Sequence, residues 1–290
     1  MKLTLLLVIF ATATLAQDLT PFDFDWRELK SVWESPELLP TLKKIDPSYD
    51  ATVRGGRIIG GSIAKVGQFP FSVLLIIDNA YWCGGSLLNA NWVLTAAHCI
   101  DGRKQASIYS MTDINVGYYW VSSSAKFIIH ESYSESSNNV VNDIALIKTT
   151  SAAPNNAYTA YISLPRNEVS NTFAGTTATI QGFGRYSDAS EDVSTVQRYV
   201  SVPILTNSQC TGTWPVTASQ LCTNTSGGRS SCNGDSGGGL FAGDVNTHSS
   251  SRRVIGIVSF GAVKCAAGYP SVYTRVTSFI GWIDNKMASN

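Results

Sequence analysis

Ser236 lies in Gly234-Asp235-Ser236-Gly237-Gly238, with glycines on both sides of a serine. A serine hydroxyl attacks a carbonyl carbon only when a base takes its proton and when donors await the oxyanion that forms. Residues without side chains let backbone N–H groups turn toward one point. Alone, such a stretch is an ordinary turn. Two further stretches give it meaning. Thr95-Ala96-Ala97-His98-Cys99 brings an imidazole to the end of an apolar run, and Asn142-Asp143-Ile144-Ala145-Leu146 sets a carboxylate among apolar residues. A carboxylate so placed is costly to bury unless it is paired. Asp143 is therefore the candidate to accept the His98 ring N–H, fix its tautomer and stabilise the imidazolium. The other two histidines, His130 and His248, have no such setting and read as surface or satisfied core residues.

Ile58-Ile59-Gly60-Gly61 precedes these three stretches, and the four in this order resemble the chymotrypsin-type serine endopeptidases from Ile58 to Asn290. The resemblance implies an all-β fold of two six-stranded antiparallel barrels, with the active site at their seam and a C-terminal helix. It implies His98, Asp143 and Ser236 as catalytic residues, and the N–H groups of Gly234 and Ser236 as the oxyanion hole. Ser259 would bond Asp143 and help align the substrate backbone as an added strand. Ser230 would form the base of the specificity pocket, with Gly261 and Ser271 as its walls. A serine base leaves a buried lysine or arginine unpaired, and glycine at 261 leaves room for a ring. Ser271 either narrows that slot toward leucine and methionine or turns aside. The expected reaction is acyl transfer, cleaving after large apolar or aromatic residues. Elastase-like or collagenolytic specificity is the alternative, and an inactive regulatory homologue a more distant one. Gly239 stands where the family has proline, which predicts a looser segment after the nucleophile.

Arg57-Ile58 resembles a zymogen cleavage site. Cutting there would free an α-ammonium on Ile58 to pair with Asp235 and order the nucleophile loop, because a buried carboxylate is unfavourable without a partner. Residues 54–57 read as a flexible basic segment suited to nicking. An activating protease with arginine specificity is implied. Residues 17–57 form the propeptide, in which Trp26, Leu29, Val32 and Trp33 predict a short amphipathic helix over 26–34.

Residues 1–16 read as a secretory signal, with Lys2, an apolar centre and a small-residue cleavage site. The mature chain, residues 58–290, is then expected outside the cell, for instance in a gut lumen, as in similar arthropod digestive proteases. The 290 residues carry 21 basic and 21 acidic side chains, so no nucleic acid or anionic membrane is expected as a partner. Expected partners are protein or peptide substrates and proteinaceous serine protease inhibitors, with the enzyme a monomer. Six cysteines in a secreted chain predict disulfides, with many pairings open from sequence alone. The resemblance implies Cys83–Cys99, Cys210–Cys222 and Cys232–Cys265. No Cys-x₂-Cys spacing signals zinc, no acid-rich loop signals calcium, and no cofactor is expected. Asn224-Thr225-Ser226 is a glycosylation sequon.

Short apolar or alternating runs over 71–77, 92–97, 118–122, 125–129, 144–148, 177–182, 197–204, 254–260 and 272–276 predict strands, and 277–287 a terminal helix.

Overall fold

The computed structural model describes residues 28–45, 56–57, 61–136, 139–184, 186–187, 194–246, 251–262, 265 and 267–290. Residues 1–16, read as a secretory signal, Ile58 and His248 lie outside these residues, as do 17–27 and 46–55 of the expected propeptide. Six strands build a first barrel: β1 (Ser72–Ile77), β2 (Tyr81–Asn89), β3 (Trp92–Thr95), β4 (Ala106–Ser110), β5 (Trp120–Ile129) and β6 (Ala145–Thr149). Antiparallel pairing runs β2-β1-β4-β5-β6-β3, and β3 pairs back onto β2 to close it. The second barrel uses β7 (Thr177–Gly182), β8 (Arg198–Leu205), β9 (Gln220–Thr223), β10 (Gly239–Ala242), β11 (Arg253–Phe260) and β12 (Ser271–Arg275). Its order is β7-β10-β11-β12-β9-β8, closed by β8 on β7. Each ring closes, but β3 covers only the Ser86–Asn89 end of β2, so the Tyr81–Trp82 end keeps an edge open to a further strand.

Side-chain alternation sets what each strand buries. In β8, Val200, Val202 and Ile204 point inward while their neighbours are half-buried. β1 is buried at all six positions, because residues on both of its faces are covered. Two predicted strands, 118–122 and 125–129, form the single strand β5. Four barrel strands carry no apolar run that predicts them: β2, β4, β9 and β10. β2 holds Gly84 and Gly85, which break the pattern for a packing reason. A Cβ on Gly85 would lie 2.7 Å from Val93 Cγ1, and one on Gly84 would lie 2.9 Å from Gly238 Cα.

The looseness expected from Gly239 is not found. Gly239 opens β10, pairs with Ile257 of β11 and is buried. Its bare Cα leaves space for Ser86 Oγ, which would stand 2.5 Å from a Cβ there. The C-terminal helix is confirmed as a 3₁₀ turn, Val276–Phe279, running into an α-helix, Ile280–Ser289. Ile280 and Ile283 seat it, and the Arg166 guanidinium donates to both Asp284 carboxylate oxygens at 2.6 and 3.2 Å.

The helix expected over 26–34 is not formed in its described part. Lys30–Ser31 is instead a short strand parallel to Tyr81–Trp82, Val32–Glu34 is one 3₁₀ turn, and the helix comes later, at Leu39–Ile45. The apolar side chains at 32 and 33 face the barrels rather than one side of a helix. Nor is 56–57 a free loop, since Gly56–Arg57 pairs antiparallel with Tyr186–Ser187.

Candidate active site

His98 belongs to a single helical turn, Ala97–Ile100, directly after β3. Cys99 in the same turn is bonded to Cys83 in β2, which fixes the turn to the barrel wall. Asp143 sits two residues before β6. The preceding Asn142 adopts a left-handed backbone (φ 52°) and donates from Nδ2 to Ser132 O at 2.7 Å. β6 lies between β3 and β5, so Asp143 and His98 emerge side by side at one end of the barrel.

The two form a buried pair. His98 Nδ1 lies 2.8 Å from Asp143 Oδ2, and the His98 backbone N–H donates to Oδ1 at 2.9 Å. Ser259 Oγ, from β11 of the other barrel, donates to Oδ2 at 2.5 Å, and Thr274 Oγ1 donates to the Asp143 carbonyl at 2.7 Å. Burial pushes the Asp143 carboxyl up. The facing His98 charge and the hydrogen bonds from His98 and Ser259 outweigh that and hold it below its ordinary value. With Oδ2 accepting from Nδ1, the proton-accepting nitrogen left on the ring is Nε2.

Ser236 is buried beside this pair. The Gly84 N–H donates to the Ser236 carbonyl at 2.7 Å, and Gly237 packs against Thr95 and Cys99, so closely that a Cβ would meet Cys99 Sγ at 3.0 Å. Ser236 and Ser259 line the same cavity. No hydrogen bond joins Ser236 to His98 in this single-chain form. Nε2 instead lies 3.8 Å from Cys99 Sγ, and the Trp33 ring stacks on the imidazole at 4.6 Å. At the turn that carries Ser236, Gly234 (φ 94°) and Gly237 (φ 76°) take left-handed backbone that glycine tolerates. The N–H groups of Asp235, Gly237 and Gly238 donate to Cys232 O, Val258 O and Asp235 O. Those of Gly234 and Ser236 donate to no backbone acceptor among the described residues.

Asp235 points the other way, into the second barrel. Oδ1 accepts from Gly184 N at 3.0 Å and Oδ2 from Cys232 N at 2.9 Å. It meets no cation among the described residues, and burial pushes its carboxyl up to about 7. Gly182 and Gly184 make its room, since a Cβ on either would strike the carboxylate at 2.3 or 2.6 Å.

The predicted specificity residues come together, but as a closed slot. Ser230 Oγ and Ser271 Oγ lie 2.8 Å apart, and Ser230 also donates to Ser231 O at 2.7 Å. Ser271 thus turns its hydroxyl onto Ser230, the expected pocket base. Gly261, read as leaving room for a ring, faces Ser271 across a gap that a single Cβ would fill: it would stand 3.6 Å from both Cα and Oγ of Ser271. A ring held between two walls needs roughly 7 Å, one van der Waals contact on each face. The remaining cavity, about 30 Å³, is lined by Trp33, Ser236, Ser259, Phe260, Gly261 and Ser271.

The three disulfides are Cys83–Cys99, Cys210–Cys222 and Cys232–Cys265, with Cα separations of 6.2, 6.2 and 5.7 Å. The last joins the loop that carries Ser236 to the segment after Gly261. Asn224 is half-buried, its Oδ1 accepting from Ser226 N at 2.8 Å, and Ser226 is exposed. His130 has the structural role expected of it, edge-on to Phe279 at 5.2 Å. Sequence reasoning missed Trp33. Its signal was an adjacent pair of large apolar residues, Val32-Trp33, in a segment with no core of its own. No helix among the described residues is long and apolar enough to cross a membrane.

Comparison with known proteins agrees with this geometry. The trypsin family model matches residues 58–283. Brachyurin from Leptuca pugilator is 37% identical over 79% of this chain and 98% of its own. Serine protease 1 of Drosophila melanogaster is 37% identical over 83% of this chain and 89% of its own. Trypsin from Sus scrofa is 33% identical over 81% and 97%. A solved structure described as HL collagenase superposes with a TM-score of 0.70 at 31% identity, over 79% of this chain and 98% of that one. The chain, with its two barrels, three disulfides and buried His98–Asp143 pair beside Ser236, belongs to the trypsin family and is a serine endopeptidase.

Proposed function

We propose that this is a secreted zymogen whose processed form cleaves peptide bonds after large apolar or aromatic residues. Ser236 is the nucleophile, His98 the base and then the acid for the leaving amine, and Asp143 the orienting carboxylate. Ser259 supports Asp143, and the N–H groups of Gly234 and Ser236 receive the oxyanion. The observation that carries this reading is the Asp143 carboxylate, which spans the His98 ring and backbone next to Ser236. The neutral Ser230–Ser271 base supports apolar specificity, because a cationic side chain would find no counter-charge there.

The latent state is supported by three features of the single chain: the narrow Gly261–Ser271 gap, the lack of a Ser236–His98 hydrogen bond, and an Asp235 carboxyl raised by burial with no cation beside it among the described residues. Cleavage after Arg57 by a protease of arginine specificity supplies the Ile58 ammonium to Asp235. Residues 1–16 direct secretion, possession of disulfides suits an oxidising compartment, and Asn224 is a glycan acceptor. The mature enzyme acts as a monomer on proteins and is a target for proteinaceous inhibitors. The likeness to a structure described as a collagenase favours a second reading, in which the same pocket serves collagenolytic cleavage.

The test is labelling with a fluorophosphonate before and after limited cleavage at Arg57, followed by profiling on peptides varied at the cleaved residue. Ser236 should label after cleavage and leucine, methionine, phenylalanine or tyrosine should be preferred. Labelling that survives Ser236→Ala would remove the assignment.

A further inference from the structure

The propeptide does more than precede the cleavage site. Lys30–Ser31 adds a parallel strand to Tyr81–Trp82 of β2. Val32 and Trp33 follow, fully buried and 4% exposed respectively. Trp33 stacks on His98 at 4.6 Å and lines the cavity of Ser236, Gly261 and Ser271. A turn follows, in which Ser35 N donates to Val32 O at 3.0 Å and Leu39 N to Ser35 O at 2.9 Å. It sets buried Leu38 and Glu37 in a second hollow with His98, Arg103 and Tyr133. There Arg103 Nη2 meets Glu37 Oε2 at 3.1 Å, while the same guanidinium lies over the Tyr81 ring at 4.6 Å.

Direction decides what this contact does. The leaving amine of a substrate takes its proton from His98 Nε2, which faces the Cys83–Cys99 disulfide and hence the β2 side. The acyl half, with the side chain that enters the pocket, lies toward Ser259–Gly261. A substrate therefore runs from the pocket side to the β2 side, N- to C-terminus. Residues 30–33 run from β2 to the pocket, in the opposite sense. A backbone laid backward occupies both halves of the cleft without presenting its carbonyl and leaving nitrogen in reacting order.

Taking the site as read above, we propose that residues 30–38 are a backward-running inhibitory strap, with Trp33 as its anchor, and that the peptide binds the cleft reversibly once Arg57 has been cut. No cysteine ties residues 17–57 to the rest, so the strap acts by affinity alone. Buried aromatic anchors commonly dominate such contacts. The strap thus adds a concentration-dependent brake to the cleavage switch.

The test titrates a fluorescein-labelled peptide of residues 28–45 onto enzyme cleaved at Arg57 and freed of its leader. Anisotropy and peptide hydrolysis are followed together. Saturable binding is expected, competitive with an aromatic substrate, and the peptide should stay intact by mass spectrometry. Trp33→Ala in the peptide should weaken binding about 30-fold or more, the effect of losing an anchor side chain. Leu38→Asp should weaken it as well, without touching the His98 stack. Absent binding, binding indifferent to both substitutions, or prompt cleavage between Trp33 and Glu34 would overturn the strap. Trp33-dependent binding to a protein with no hydrolytic activity would uphold the strap and count against the enzyme assignment.

Discussion

Asp143 grips His98 with both of its oxygens, one on the ring and one on the backbone of the same residue. Orientation of the imidazole is thereby tied to the position of the turn that carries it. Asp143→Asn would keep the shape but offer an amide N–H or the wrong tautomer to Nδ1. A loss of about 10⁴ in kcat is expected, as for the equivalent change in related enzymes. Steady-state kinetics on the cleaved form, with circular dichroism to show an intact fold, checks this.

Asp143 and Asp235 should give opposite pH dependences of stability. The Asp143 carboxyl is held below its ordinary 3.8. Its contribution is complete above that value and is lost as pH falls through the lower folded one. The Asp235 carboxyl in the uncleaved chain is raised from 3.8 to about 7. The folded state holds that proton more tightly than the unfolded one, so stability is gained as pH falls from about 7 toward 4, by up to roughly 4 kcal/mol. Urea denaturation of the uncleaved chain should therefore show a higher midpoint at pH 5 than at pH 8. Asp235→Asn should flatten that difference, and cleavage at Arg57 should reduce it. A wild-type midpoint lower at pH 5 than at pH 8 would contradict the assignment.

The pocket predicts its own opening. With Gly261 against Ser271, an aromatic boronate should bind the uncleaved chain at least tenfold more weakly than the cleaved one. Gly261→Val should abolish cleavage after aromatic residues in the cleaved enzyme while sparing ester hydrolysis of small acyl groups. Ser271→Gly should raise the ratio of tryptophan to leucine cleavage by removing the side chain that narrows the base. Competition assays on paired peptides read both.

The Cys83–Cys99 bond closes a loop with a sequence separation of 16 and holds the His98 turn on β2. Replacing both cysteines by alanine should cost about 3 kcal/mol in the loop-entropy picture. Thermal unfolding should show the loss, and kcat should fall more than KM rises, because the base is displaced while the pocket is not.

Much of this site was legible because its chemistry is carried by short local motifs. Ser236, His98 and Asp143 could be picked out from neighbours alone, and the paired cysteines matched the resemblance. What sequence patterns could not reach were contacts made between distant segments. β2 was hidden because Gly84 and Gly85 serve close packing rather than alternation. Gly239 suggested slackness but relieves a clash with Ser86. Gly261 suggested an open slot, yet Ser271 stands too near it in the single chain to admit a ring. Trp33 fitted a helical periodicity equally well, and only the cleft it fills distinguishes the two.

Gly84 of the first barrel abuts Gly238 of the second with no side chain between them. His98 comes from one barrel and Ser236 from the other, so the reacting pair proposed above is assembled across this bare seam. Neither barrel holds a working remnant of the site. Any splaying of the two, by heat or denaturant, must extinguish turnover before either barrel melts.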